Sequence, residues 1–121
     1  MTPVLVAVAG AAGALSRYGI GQAVGERSFP WATLAINVLG SFLLGLLWRV
    51  GLERDWPAST VTPLGTGFLG AFTTYSTFSN ETVALVRADR AAAAGAYVAL
   101  SVLAGLLAAA AGYAAGRSVA G

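Results

Sequence analysis

The ionisable residues of this chain are gathered into a few clusters, and between the clusters lie four blocks with almost no charge. The first runs from about Pro3 to Val24 and is interrupted only by Arg17. The second runs from Ser28 to Trp48, the third from Trp56 to Asn80 and the fourth from Ala91 to Gly116. Each is long enough for the roughly 20 residues that a helix needs to cross a bilayer. Only 10% of the 121 residues are charged and 57% are hydrophobic, with a mean hydropathy of +0.74. Soluble chains carry roughly 25% charged residues, and one this short could not bury so much apolar surface within itself. The sequence therefore predicts an all-α membrane protein, a single four-helix transmembrane domain over residues 1–121 with spans at about 3–24, 28–48, 56–80 and 91–116. Trp31, Trp48 and Trp56 fall where interfacial aromatics usually sit. The first block has no basic leader and runs past the length of a signal-peptide core, so it is expected to remain as a span.

Cysteine and histidine are both absent, which removes disulfides, thiolate chemistry and imidazole metal sites. No nucleophile and base pair is visible either, so no enzyme is expected, and nucleic acid is not an expected partner. Every carboxylate (Glu26, Glu53, Asp55, Glu81, Asp89) lies outside the blocks or at their ends. That disfavours a proton-coupled drug transporter, which needs a carboxylate within its spans. A non-transporting scaffold subunit is the other rival class. Arginine supplies all the positive side chains, and it is almost evenly divided: Arg49, Arg54 and Arg117 on one face, Arg27, Arg87 and Arg90 on the other, with Arg17 near the second. The charge bias that orients most membrane proteins is nearly missing. A chain that inserts both ways up and pairs with itself makes an antiparallel dimer.

Small residues recur in the spans: Gly10, Gly13 and Ala14, then Gly40, Ser41 and Gly45, then Gly105, Ala109 and Gly112. Their spacing lets helix backbones approach closely, which means a compact bundle and nothing more specific. Three features exceed packing. Arg17, costly at membrane depth, either snorkels to the interface or attracts anions. Asn37 brings an amide to mid-span, where it is either a tie between helices or part of a polar pathway. The third feature is the run Gly67-Phe-Leu-Gly-Ala-Phe-Thr-Thr-Tyr-Ser-Thr-Phe-Ser79, with five serines and threonines and two glycines inside the third block.

That run favours neither an unbroken helix nor a lipid-facing surface, and a helix break is expected near Gly70 to Thr74. A break frees backbone carbonyls, which suit a hard cation. Beyond it, Ser76 and Thr77 offer hydroxyl donors between Tyr75 and Phe78, and aromatic rings have positive edges. Ring edges with hydroxyl and amide donors can replace the water around a small anion. The alternative is a kinked helix whose hydroxyls bond back to its own backbone.

Gly10-Ala-Ala-Gly-Ala-Leu-Ser-Arg-Tyr18, Thr33-Leu-Ala-Ile-Asn-Val-Leu-Gly-Ser-Phe42 and the Gly67–Ser79 run, in this order and spacing, resemble the CrcB/Fluc fluoride channels. The resemblance covers the whole chain. It implies a passive, fluoride-selective channel in a prokaryotic plasma membrane, exporting cytoplasmic fluoride and conferring fluoride resistance. It also implies an antiparallel dual-topology dimer, with a second copy or a paralogous subunit, two pores at the interface and a structural sodium ion at the centre. Residue by residue, the carbonyls of Gly70 and Thr73 resemble the sodium ligands. Asn37, Tyr75, Ser76, Thr77, Phe78 and Ser101 resemble the fluoride pathway, with Tyr97 at a further pore-side position, and Arg17 and Glu81 resemble vestibule residues. Two departures stand out: Tyr75 where the family more often has phenylalanine, and Gly105 and Ala109 where some relatives carry a polar track.

Overall fold

The computed structural model describes residues 1–121 and consists of helices joined by short connections. Helix α1 (Thr2–Val24) has a proline in its first turn, where the missing N–H costs nothing. It ends at Gly25, whose φ of 72° is a conformation that glycine adopts without strain. Helix α2 (Trp31–Glu53) starts after Pro30 and runs beyond Trp48, further than the apolar pattern implies. The extension is held by side chains: Arg49 Nε donates to Glu53 Oε1 at 2.7 Å, one turn on. The Arg49 guanidinium also lies 4.8 Å from the centre of the Tyr113 ring, a cation–π contact with the last helix.

The third crossing is assembled from pieces. Helix α3 (Ala58–Thr62) passes into a π-helical segment, Pro63–Leu69, and then into the single turn α4 (Gly70–Phe72). Pro63 cannot donate a backbone hydrogen bond, and Gly65 and Gly67 hold helical geometry weakly, so the hydrogen-bond register widens: the Gly70 amide donates to Gly65 O, five residues back, as well as to Gly67 O. The helix then stops. Thr73 (φ −81°, ψ 160°) and Thr74 (φ −151°, ψ 117°) are extended, and helix α5 (Tyr75–Arg87) begins afresh. The break therefore falls at the two threonines, at the end of the expected interval, and Gly70 itself is helical. Helix α6 (Ala91–Ala120) is the longest.

Helices α1, α2 and α6 are each long and apolar enough to span a membrane, and the pieces α3 to α5 stand third in chain order between α2 and α6. The side chains face outward as a lipid solvent requires: Leu103, Leu106 and Leu107 on α6 are 62%, 67% and 70% exposed. Between helices, small residues do the packing. A Cβ on Gly45 would collide with the Ala109 carbonyl, one on Gly112 with the Phe42 carbonyl, and one on Gly13 with the Phe68 carbonyl. The first two bring α2 and α6 into backbone contact along their lengths. The third presses α1 against the π segment, as small-residue interfaces do where lipid gives helices no hydrophobic reason to associate. One buried cluster, Ile36, Leu69 and Phe72, backs the break on one side. A second, Leu85, Ala94 and Tyr97, backs α5 on the other.

Candidate functional site: a helix break flanked by three grooves

Two adjacent threonines with extended backbone at membrane depth need their polar groups satisfied, and α2 supplies the partner. Asn37 Oδ1 accepts from the Thr74 amide at 2.9 Å, and Asn37 Nδ2 donates to the Thr74 carbonyl at 3.1 Å. The side-chain amide thus clamps both backbone groups of one residue. One turn further along the same face, Gly40 leaves the space that the Thr73 side chain fills; a Cβ there would run into the Thr73 methyl. Asn37 is the tie between helices that one sequence reading anticipated. Only one of its two N–H donors is used, however, and the residue still lines a groove.

The same break leaves oxygens without donors. The Thr74 amide goes to Asn37, so the Gly70 carbonyl loses the donor that a continued helix would have given it. The Thr73 carbonyl accepts no hydrogen bond from the protein. The Thr73 hydroxyl does not compensate, since it donates back to Leu69 O at 3.0 Å. Both carbonyl-bearing residues line a groove of about 360 Å³, together with Asn37, Tyr75, Phe78 and Ser101. The Ser101 hydroxyl is buried there with no hydrogen-bond partner. Helical serines usually bond back to the preceding turn, as the Ser16 and Ser79 hydroxyls do. Ser101 keeps its donor free.

Helix α5 is capped by Thr74, whose Oγ1 accepts from the Thr77 amide at 3.2 Å and donates to Thr77 Oγ1 at 2.9 Å. Thr77 Oγ1 is an acceptor in that pair, so its own proton remains available. Aromatic rings follow one another from the break: Tyr75 to Phe78 at 6.0 Å, and Phe78 to Tyr97 at 5.1 Å with planes 57° apart. Tyr97 is 0% exposed, whereas Tyr75 is 80% exposed. Ser76, next to Tyr75, is exposed as well. Ser76 lines none of the three grooves, whereas Tyr75 edges the central groove with most of its surface left exposed.

On the α1 side, Arg17 takes a role that neither sequence alternative included. Its Nε donates to the Ala71 carbonyl at 3.1 Å, so a cation sits at the C-terminal end of the broken helix, where the backbone dipole is negative. The rest of the guanidinium lines a vestibule of about 750 Å³, which Thr77, Thr74 and Glu81 also line. Glu81 Oε1 accepts from Tyr97 Oη at 2.9 Å. Arg17 and Glu81 therefore share one chamber, and Thr74 belongs to both that chamber and the central groove. A third groove, of about 630 Å³, continues from Ser41, Leu44 and Gly65 toward Trp48 and Thr66. Trp31 lines the first groove and Trp48 the third. At 1.5 Å per residue these are about 25 Å apart along α2, close to the thickness of a hydrocarbon core.

Sequence reasoning singled out the components but not three of the joints. Thr74 was only a boundary of the break, although it is the residue that is clamped and that caps α5. Thr33, buried at 6% exposure in the vestibule wall, and Ser41, shared by two grooves, were not distinguished from packing. The spacing of Thr33, Asn37 and Ser41, one helical turn each, is the signal that could have found them.

Three helices long and apolar enough to cross a bilayer, with a broken helix whose free oxygens lie beside a run of grooves, mark a multi-pass integral membrane protein with the parts that a channel needs. Residues 4–113 match the family model described as CrcB-like protein, Camphor Resistance (CrcB). The chain is 45% identical over 114 residues to "Fluoride-specific ion channel FluC 1" of Bacillus cereus, covering 91% of this chain and 83% of the relative. It is 50% identical over 110 residues to "Fluoride-specific ion channel FluC 2" of Rhodococcus jostii, covering 90% and 93%. It is 43% identical over 120 residues to "Fluoride-specific ion channel FluC" of Thermus thermophilus, covering 97% and 94%. The chain belongs to the CrcB family, a family of ion channels and not of enzymes. It is a multi-pass protein of the prokaryotic plasma membrane.

Proposed function

We propose that this chain is a passive fluoride-selective channel that exports cytoplasmic fluoride, with the pathway running through the three grooves. Fluoride is small and strongly hydrated, so a path that passes it must present several donors in a narrow space while remaining too tight for larger halides. The observation that carries the reading is the central groove. There the unpartnered Ser101 hydroxyl shares the lining with Asn37, which has one N–H to spare, and with Phe78. Thr77 and the charged groups of Arg17 add donors on the vestibule side. Conduction needs no catalysis: HF crosses membranes unaided and dissociates inside, and an inside-negative potential drives the anion out with about 2.3 kcal/mol per charge per 100 mV.

The working unit is an antiparallel pair. A groove containing unpaired backbone carbonyls cannot face hydrocarbon and has to be covered by protein, and the even distribution of arginine allows the second copy to insert the other way up. The exposed Tyr75 and Ser76 are then available to the partner's pathway. Across such a dyad the Gly70 and Thr73 carbonyls of two chains supply four oxygens, a donor set that fits a sodium ion. Bound there, the ion would neutralise the negative ends of the broken helices and tie the two copies together.

The test is fluoride efflux from liposomes that contain only this purified chain. Fluoride leaving faster than chloride supports the reading. Neither a proton-coupled exporter of organic cations nor a non-transporting scaffold produces it, and vesicles that retain fluoride would remove the reading for the chain on its own.

A further inference from the structure

Helix α6 lines the central groove with Ser101, but one turn beyond Ser101 it has Gly105 and then Ala109, neither with a donor. On its own side chains, α6 leaves a gap of two turns in the donor series. The gap is not empty. Ser41 of α2 stands across from Gly105, its Oγ 3.8 Å from where a Cβ at 105 would lie, and nothing else approaches that point within 4 Å. Ser41 also lines both the central groove and the groove that opens beside Trp48. The hydroxyls of Ser16, Ser79 and Thr82 donate to carbonyls four residues back. Ser41 makes no such bond, and within the chain its hydroxyl is as free as that of Ser101.

On the fluoride-channel reading above, we propose that Ser41 is a donor of the pathway, supplying from α2 the hydroxyl that α6 lacks at Gly105 and carrying the anion from Ser101 into the outer groove. Asn37 and Ser41 are one turn apart on the same helix face, so α2 contributes consecutive donors at the depth where α6 stops contributing. The pathway thus changes helices partway across the membrane.

The experiment is liposomal fluoride efflux with four proteins: the wild type, Ser41→Ala, Gly105→Ser and the double variant. Loss of a hydrogen bond to a charged species corresponds to about a tenfold or greater drop in flux for Ser41→Ala. Gly105→Ser by itself is expected to conduct as the wild type does. The double variant returns a hydroxyl to nearly the same place from the opposite helix and is expected to recover to within about threefold of wild type. Ser41→Cys, which keeps the shape but weakens the donor, serves as the second probe should the alanine protein not fold, and the same drop is expected. Undiminished flux in Ser41→Ala overturns the proposal. So does a drop that Gly105→Ser fails to rescue, since Ser41 would then act through packing. A wild type that passes no fluoride defeats the channel reading instead, and the two failures are told apart by the first sample.

Discussion

Replacing Asn37 with alanine removes both ends of the clamp on Thr74, the hydrogen bonds of 2.9 and 3.1 Å. A made hydrogen bond contributes about 0.5–1.5 kcal/mol net, but a buried donor or acceptor left without a partner costs about 1–3 kcal/mol. Two orphaned groups, the Thr74 amide and carbonyl, therefore cost about 2–6 kcal/mol, partly recovered if water enters from the vestibule that Thr74 also lines. At about 1.4 kcal/mol per factor of ten, even the lower end shifts the balance between the clamped break and competing backbone arrangements more than tenfold. The assay pairs fluoride efflux with hydrogen–deuterium exchange at the Thr74 amide. Asn37→Ala should lose most of the flux and expose the amide to exchange. Asn37→Asp keeps an acceptor for that amide but sets a carboxylate oxygen against the Thr74 carbonyl and a negative charge in the anion path. It should abolish flux while Thr74 remains partly protected. An alanine variant with wild-type flux and undiminished Thr74 protection would refute the clamp.

Phe78→Ile should abolish fluoride flux while leaving a folded protein, because the ring that closes between Tyr75 and Tyr97 loses its polarised edge but little apolar volume; efflux and size-exclusion chromatography report the two halves. Tyr75→Phe should retain or raise flux, since the phenol is exposed and makes no hydrogen bond within the chain. Complete loss would mean that the hydroxyl is itself a required donor. Gly112→Val puts a branched side chain where even a Cβ meets the Phe42 carbonyl. It should force α2 and α6 apart, with a loss of about 3 kcal/mol or more, read as lost monodispersity in detergent; an unchanged elution profile and melting temperature would contradict the packing account.

Membrane class, an all-helical architecture and the breaking of the third helical element were legible along the chain. Each depends on local properties: block length, the scarcity of charge, and glycine and threonine where a helix is weakest. The 67–79 run announced its break because no arrangement of neighbours makes Thr73 and Thr74 a comfortable lipid-facing helix. The partners of the polar groups were another matter. Asn37 and Thr74 are 37 positions apart and Arg17 and Ala71 are 54 apart, and whether such groups meet depends on the rotation and vertical register of whole helices. That register is set by where backbones interlock, at Gly13 against Phe68, Gly45 against Ala109 and Gly112 against Phe42. A shift of one residue along α2 would turn Asn37 through about 100° and away from the break. Composition and order along the chain thus determined the solvent, the helices and the donors at hand. Only the packed tertiary structure decided which donors are used up holding the break open and which, like those of Ser41 and Ser101, are left without a partner in the chain.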